Sequence, residues 1–210
     1  MSTVSGEKLE KKASFSKKEQ SAATIKRLLA VAMQEFSDKG YAGASTEAIV
    51  KEAQVTRGAL YHHFKVKKDL FYAVFKEAQL EIGNRIEADA DAADDPWDGL
   101  ISGCNAFLKA CSDPALQQIV VIDAPAVLDW NTYRSVDENL AGSGLSLLKE
   151  CLRDLVDQNV LKPISVDALA HLLSGAMDEA AVWIGQSSDP PRALTEAQKA
   201  IEVVLLGLKV

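Results

Sequence analysis

Residues Ser45 to Leu70 read STEAIVKEAQVTRGALYHHFKVKKDL, and two capped helix starts lie within them. Ser45 precedes a short apolar-periodic run with Glu47 in its positive first turn, and Thr56 precedes a second. The spacing predicts helices from about Ser45 to Ala53 and from about Thr56 to Phe64, with Gln54 and Val55 left for the turn. Isolated helices below roughly 12–15 residues are marginal in water, so the pair must pack. Ile49, Ala53, Val55, Leu60 and Phe64 supply a small common core, and the arrangement is a helix-turn-helix.

Outward from this segment the chain reads as all-α. A first helix is expected from Lys18 to Lys39, with Ile25, Leu28, Leu29, Ala32, Met33 and Phe36 forming one stripe and Gly40 closing it. Lys67 opens a long helix through Leu70, Phe71, Val74, Phe75 and Ala78, which fades into an acidic run, Glu87 to Asp95, expected as a solvated linker. Asp95-Pro96 and Asp113-Pro114 are cap-plus-first-turn signatures. Irregular backbone is expected around Ala124-Pro125 and from Asp129 to Thr132, then helix from Tyr133 to near Asn159 with a break at Gly142 or Gly144. A Ser165-capped helix runs to about Gln186, and Thr195-Glu196-Ala197-Gln198 reads as a capping box for the last, to about Leu208. That makes about nine helices.

Charge separates along the chain. The net charge is -7, but residues 1–75 hold 13 Lys+Arg against 8 Asp+Glu, whereas the remainder holds 10 against 22. The basic end can face phosphates, and the acidic remainder is repelled by them. With 48% hydrophobic residues a sizeable core is available, and no apolar run approaches the roughly 18 residues of a membrane span. The N-terminus, carrying Lys8, Lys11, Lys12, Lys17 and Lys18, lacks the apolar stretch of a secretory signal. A cytoplasmic protein without membrane association is expected. Cys104, Cys111 and Cys151 are odd in number and unpaired in pattern, so neither a disulfide framework nor a metal site is indicated. Cys104 and Cys111 share a helix face but lie about 10 Å apart along it, too far for a disulfide.

The outward side of the second short helix presents Arg57 and Tyr61 one turn apart, with Gly58 and His62 beside them. Arg57 can donate two hydrogen bonds to guanine, Gly58 permits close approach, and Tyr61, His62, His63 and Lys67 can reach phosphates. Thr46 and Thr56, at helix N-termini, can do likewise. Taken alone, His62-His63 reads as a polar surface pair, and its helical context turns the reading toward phosphate contact; as zinc ligands adjacent histidines diverge by about 100° on a helix.

The segment Ser45 to Leu70, with LLAVAMQEFSDKGYAGAST before it and the pattern GALYHHF...K..L within it, resembles the TetR (TetR/AcrR) family over roughly Gln20 to Leu80. The resemblance implies a flexible basic tail at residues 1–19, a helix-turn-helix domain at 20–80 and a C-terminal ligand-binding and dimerisation domain at 81–210. It implies a dimer on a palindromic double-stranded operator, with contacts at Thr46, Thr56, Arg57, Gly58, Tyr61, His62, His63 and Lys67. Where the family has glycine in the turn this chain has Gln54, which is therefore expected to need left-handed backbone.

DAPAVLDWNTYRSVDE and LLSGAMDEAAVWI look like segments of a subset of TetR-like regulators. Cys104, Phe107, Cys111, Trp130, Tyr133, Asp178 and Trp183, together with Trp97 and His171, are either packing residues or the wall of a mostly apolar effector pocket. The last two helices carry Gly175, Ala176, Ala180 and Ala181 among Leu, Ile and Val stripes, which suits an intrachain core or a dimer interface; the resemblance favours the dimer. The implied function is a ligand-responsive repressor whose effector is an apolar or amphiphilic small molecule. No GxSxG, HExxH, P-loop or dinucleotide fingerprint is present, so neither an enzyme nor a cofactor is expected. An enzyme and a helical adaptor without DNA binding are the rival readings.

Overall fold

The computed structural model describes residues 4–210, with side chains described from Lys17 onward. It is helical throughout: α1 (Val4–Gly43), α2 (Thr46–Glu52), α3 (Arg57–His63), α4 (Lys67–Asp91), α5 (Pro96–Cys111), α6 (Pro114–Leu116), a π-helical turn (Gln117–Asp123), α7 (Ala124–Val127), α8 (Trp130–Asn139), α9 (Gly144–Asp157), α10 (Val166–Gln186) and α11 (Pro190–Leu206). The described helices outnumber the expected nine mainly because residues 114–127 divide into two short α segments around the π turn. No helix among the described residues is long and apolar enough to cross a membrane.

The chain divides into two compact units, Met1–Phe71 and Tyr72–Val210, the division falling inside α4. In the first, α1 is interrupted at Gly40, whose φ of 65° and ψ of 168° are glycine's territory. The helix extends to Val4 rather than beginning at Lys18, because residues 7–20 are rich in Lys and Glu and contain neither proline nor glycine. The side chains of Lys8, Lys11 and Lys12 lie outside the described residues. Leu28, Ala32 and Phe36 of the predicted stripe are fully buried. Phe36 and Tyr41 each meet the edge of Phe71 at 5.1 Å between centroids.

Gln54, in the turn between α2 and α3, has a φ of 53°. A side chain in this region costs about 1–2 kcal/mol relative to glycine, partly offset by glycine's greater freedom when unfolded. Gln54→Gly is therefore expected to stabilise the protein by about 0.5–1 kcal/mol, read as a rise in the urea midpoint at constant slope. A lower midpoint would mean the left-handed turn is not strained.

The second unit is built on α5, α9, α10 and α11, which pack against one another. Trp97, Leu100, Leu145, Leu152, Leu173 and Ile201 belong to its core. Aspartate caps followed by proline open α5 and α6 as predicted, with Asp95 accepting from Trp97 N at 2.8 Å and Asp113 from Ala115 N at 3.0 Å. The same device opens α11, and corrects the predicted start at Thr195. Asp189 accepts from Arg192 N at 3.2 Å, Pro190 has the φ a first turn requires, and Thr195 lies inside the helix, donating its hydroxyl to Pro191 O. Gly83 of α4 faces the carbonyl oxygen of Gly142 so closely that a Cβ there would collide with it. This allows the loop between α8 and α9 to lie against α4.

Candidate nucleic-acid interface and effector cavity

Both short helices form as their caps dictate. Ser45 Oγ accepts from Ala48 N at 3.3 Å, and Thr56 Oγ1 from Ala59 N at 3.1 Å. Ser45 N in turn donates to Glu35 at 3.0 Å, joining the start of α2 to α1. Lys39 and this backbone N–H hold the Glu35 carboxyl below its ordinary range. Ile49 and Leu60 are buried, with Ala53 and Phe64 between and beyond them. Each large side chain contributes about 1.5–3 kcal/mol by leaving water, which is what two seven-residue helices need to persist.

Burying Leu60 and Phe64 leaves the opposite side of α3 open. Thr56, Arg57, Gly58 and His62 are exposed, and Tyr61 and His63 partly so. The Arg57 guanidinium stands 5.5 Å from the centre of the Tyr61 ring and 3.7 Å from Glu47. Nothing in the unit requires glycine at position 58, since an added Cβ would meet Thr56 Oγ1 at an ordinary 3.9 Å. Thr56 Oγ1 spends a lone pair on its cap and keeps its proton to donate. Thr46 donates its hydroxyl to Glu47 at 3.3 Å. His62 and His63 meet edge to face at 5.0 Å. Lys67 is arranged differently from the sequence expectation of a phosphate contact: its ammonium donates to Ala44 O at 2.6 Å and lies 4.7 Å over the Tyr41 ring.

The second unit contains a cavity of about 530 Å³, within the size range of small-molecule sites. Cys104, Phe107, Tyr133 and Asp178 line it, and Leu100, Leu148 and Met177 add apolar wall. A second cavity of about 360 Å³ is lined by Cys111, Trp130, Tyr133 and Asp178, with Arg134 and His171. Tyr133 and Asp178 thus belong to both. Tyr133 stacks between Phe75 at 5.4 Å and Trp130 at 5.9 Å. Trp183 lines neither; it stands on the outer face of α10, 46% exposed, because α10 turns Met177, Ala181 and Ile184 inward instead. Trp97 is core. Burial pushes the Cys104 thiol up to about 12 and raises Cys111 as well, so both are neutral.

Several lining residues escaped the sequence reading. The acidic run expected as a linker contributes Glu87, Asp91, Asp94 and Asp95 to the larger cavity. Gln79 and Ser174 also face it; a glutamine within the apolar stripe of Phe75, Ala78 and Ile82 was the available signal. Arg134 organises the polar side, lying 3.4 Å from Asp137, 3.8 Å from Asp178 and 3.0 Å from His171 Nδ1. The three-residue spacing of Arg134 and Asp137 on α8 was its signal.

Burial, reinforced by the neighbouring Asp137 carboxylate and opposed by Arg134, raises the Asp178 carboxyl to about 7. The folded state therefore holds a proton that the unfolded state releases near pH 4, so stability falls as pH rises from about 4 to 7 and is level above. Because the side chain is 37% exposed, screening limits the effect to about 1–2 kcal/mol. Asp178→Asn is expected to match the parent near pH 4 and exceed it increasingly up to pH 7. Urea titrations across that range read the difference, and a pH-independent gap would contradict it.

Comparison with known proteins agrees over both units. The family described as "Tetracyclin repressor-like, C-terminal domain" matches residues 97–208, and that described as "Bacterial regulatory proteins, tetR family" matches residues 28–74. The Transposon Tn10 TetC protein of Escherichia coli is 30% identical over 154 residues, 73% of this chain and 76% of that protein. The HTH-type transcriptional regulator AcrR of Shigella flexneri is 39% identical over 80 residues, 38% of this chain and 37% of that one. Among solved structures, a TetR-family transcriptional regulator from Pectobacterium atrosepticum is similar with a TM-score of 0.77 at 35% identity, covering 91% of this chain and 97% of its own. The regulator FadR of Bacillus subtilis, solved in complex with stearoyl-CoA, shares the fold with a TM-score of 0.65 at 20% identity, over 82% of this chain and 95% of its own.

Proposed function

The chain belongs to the TetR family and is a DNA-binding transcription regulator, and from that premise we propose that it is a ligand-responsive repressor binding a palindromic operator as a homodimer. The observation that carries this reading is the outward side of α3, where exposed Arg57 and the partly exposed Tyr61 flank a glycine that no internal contact requires. In the proposal α3 enters the major groove. Arg57 reads guanine, Gly58 admits the backbone closely, and Thr56, Tyr61, His62 and His63 contact phosphates, with Thr46 beside them. Lys67 acts by tying Ala44 to Tyr41 rather than as a phosphate ligand.

The dimer is supported by apolar surface on both terminal helices. Leu172 and Trp183 of α10 and Val203, Val204 and Leu206 of α11 are each about half exposed or more. Two copies related by a two-fold axis would cover this surface and match a palindrome. In the second unit, an apolar or amphiphilic effector fills the larger cavity. Binding there shifts the population away from the operator-competent state, with couplings of about 1–3 kcal/mol typical. The lever is α4, which contributes residues to both units. This role is regulatory, exercised in the cytoplasm, and requires no catalytic step or cofactor.

Selection from random duplex DNA with purified full-length protein, followed by titration of the selected site at fixed salt, tests the proposal. A palindromic consensus bound by one or two dimers is the expected result. Absence of any enrichment would leave the helix-turn-helix without a DNA function.

A further inference from the structure

The charges around the larger cavity are all of one sign. Eight of its lining residues are Asp or Glu, and none is Lys, Arg or His. Glu87 and Asp91 come from the end of α4, Asp94 and Asp95 from the loop after it, Glu150 and Asp154 from α9, Asp137 from α8 and Asp178 from α10. Arg134 compensates Asp137 and Asp178 only in part, one guanidinium for two carboxyls. No three His, Cys, Asp or Glu among the described residues are gathered as a metal ion would need. The carboxyls are instead spread around an apolar chamber that includes Leu100, Phe107, Leu148 and Met177.

A second observation points to an occupant with polar atoms. Gln79, Tyr133 and Ser174 are only 4%, 7% and 7% exposed, and all three line this cavity. Their side chains make no hydrogen bond among the described residues, and their polar atoms are not sealed away, the one buried polar atom left without a partner there being Asn105 Oδ1. A bound molecule's polar end would supply partners.

We propose that the effector of this cavity is an amphiphilic cation, an apolar body ending in an amine or quaternary ammonium group. The proposal rests on the reading of the cavity as the effector site and adds the sign of the ligand's charge. Leucine, phenylalanine and methionine side chains take the apolar body, while Asp178 and the outer carboxylates draw the nitrogen. An anionic amphiphile, whether a free fatty acid or an acyl-CoA, meets like charge at this wall, most strongly beside the buried Asp137 and half-buried Asp178.

Calorimetric titration of the full-length protein with dodecyltrimethylammonium and with laurate, which have matched apolar tails, tests the charge directly below micelle-forming concentrations. The ammonium ion is expected to bind at least about tenfold more tightly than laurate. Asp178→Asn and, separately, Glu150→Gln should each reduce that preference, and Gln79→Leu should weaken binding of an alkylamine, whose N–H groups the amide can accept. Thermal melts of each variant establish that it is folded. Equal or tighter binding of laurate overturns the proposal while leaving the cavity a ligand site. Failure of both probes to bind overturns the proposal and the cavity's role together. Should the ammonium ion bind with the stated preference yet leave a preformed operator complex intact, the charge assignment stands and the repressor-release reading fails.

Discussion

Operator affinity is expected to fall by about 30-fold to 10⁴-fold when Arg57 is replaced by alanine. A bidentate guanidinium contact to guanine is worth about 1–3 kcal/mol, and the proposed dimer carries it twice. Arg57 suits this task because it is exposed yet held: Glu47 at 3.7 Å and the Tyr61 ring at 5.5 Å narrow the orientations its fork can take. The same neighbours make the substitution harmless to folding, since the pair with Glu47 is exposed on both sides and such pairs contribute little. Arg57→Lys distinguishes charge from geometry. Lysine keeps the positive charge but not the planar fork, so binding to scrambled DNA and its salt dependence should persist while preference for the operator is lost. Anisotropy titrations of operator and scrambled duplexes at two salt concentrations read both quantities. Equal losses on the two duplexes with Arg57→Ala would make Arg57 a phosphate contact and remove it from base reading.

Features fixed by near neighbours in the chain were legible in the sequence. Ser45, Thr56, Asp95, Asp113 and Ser165 all cap the helices predicted for them, because a cap needs only its own side chain and an amide two or three residues on. The left-handed turn at Gln54 was legible only through the resemblance, which has glycine at that position. The start of α11 was misread because two local signals compete there. Thr195-Glu196 fits a capping box, but Asp189-Pro190 comes first and nothing between them interrupts the helix. Distant partners decided the rest. The ammonium of Lys67 turns toward Ala44, 23 residues away, and no local pattern encodes that direction. The cavity gathers Gln79, Tyr133 and Ser174 from three helices widely separated in sequence, and its acidic rim looked like a linker because charge alone does not say what it surrounds.

A charge placed on the outer face of α11 is expected to separate the proposed dimer and, with it, to weaken operator binding by about 100-fold or more. Each terminal helix is apolar on two sides. On α11, Ala193, Ala197, Ile201 and Leu205 recur every four residues and are buried, while Val203 and Val204 point elsewhere, 69% and 54% exposed. On α10, Leu169, Leu173 and Met177 are buried, whereas Leu172 is 72% exposed. The inward stripes already complete the core of their unit, so the outward ones are not needed for it and a substitution there should leave the helices folded. In a two-fold interface every substituted residue occurs twice. Val203→Glu would therefore bury two carboxylates with no cation to pair them, at a cost of several kcal/mol. Once separated, each protomer binds its half-site alone and loses the high effective concentration that linkage to its partner supplies. Sedimentation velocity gives the mass of the particle, circular dichroism its helix content, and operator titration the functional consequence. Leu172→Glu should behave in the same way from the neighbouring helix. If both variants keep helix content, mass and operator affinity unchanged, the two-fold axis does not pass through α10 and α11.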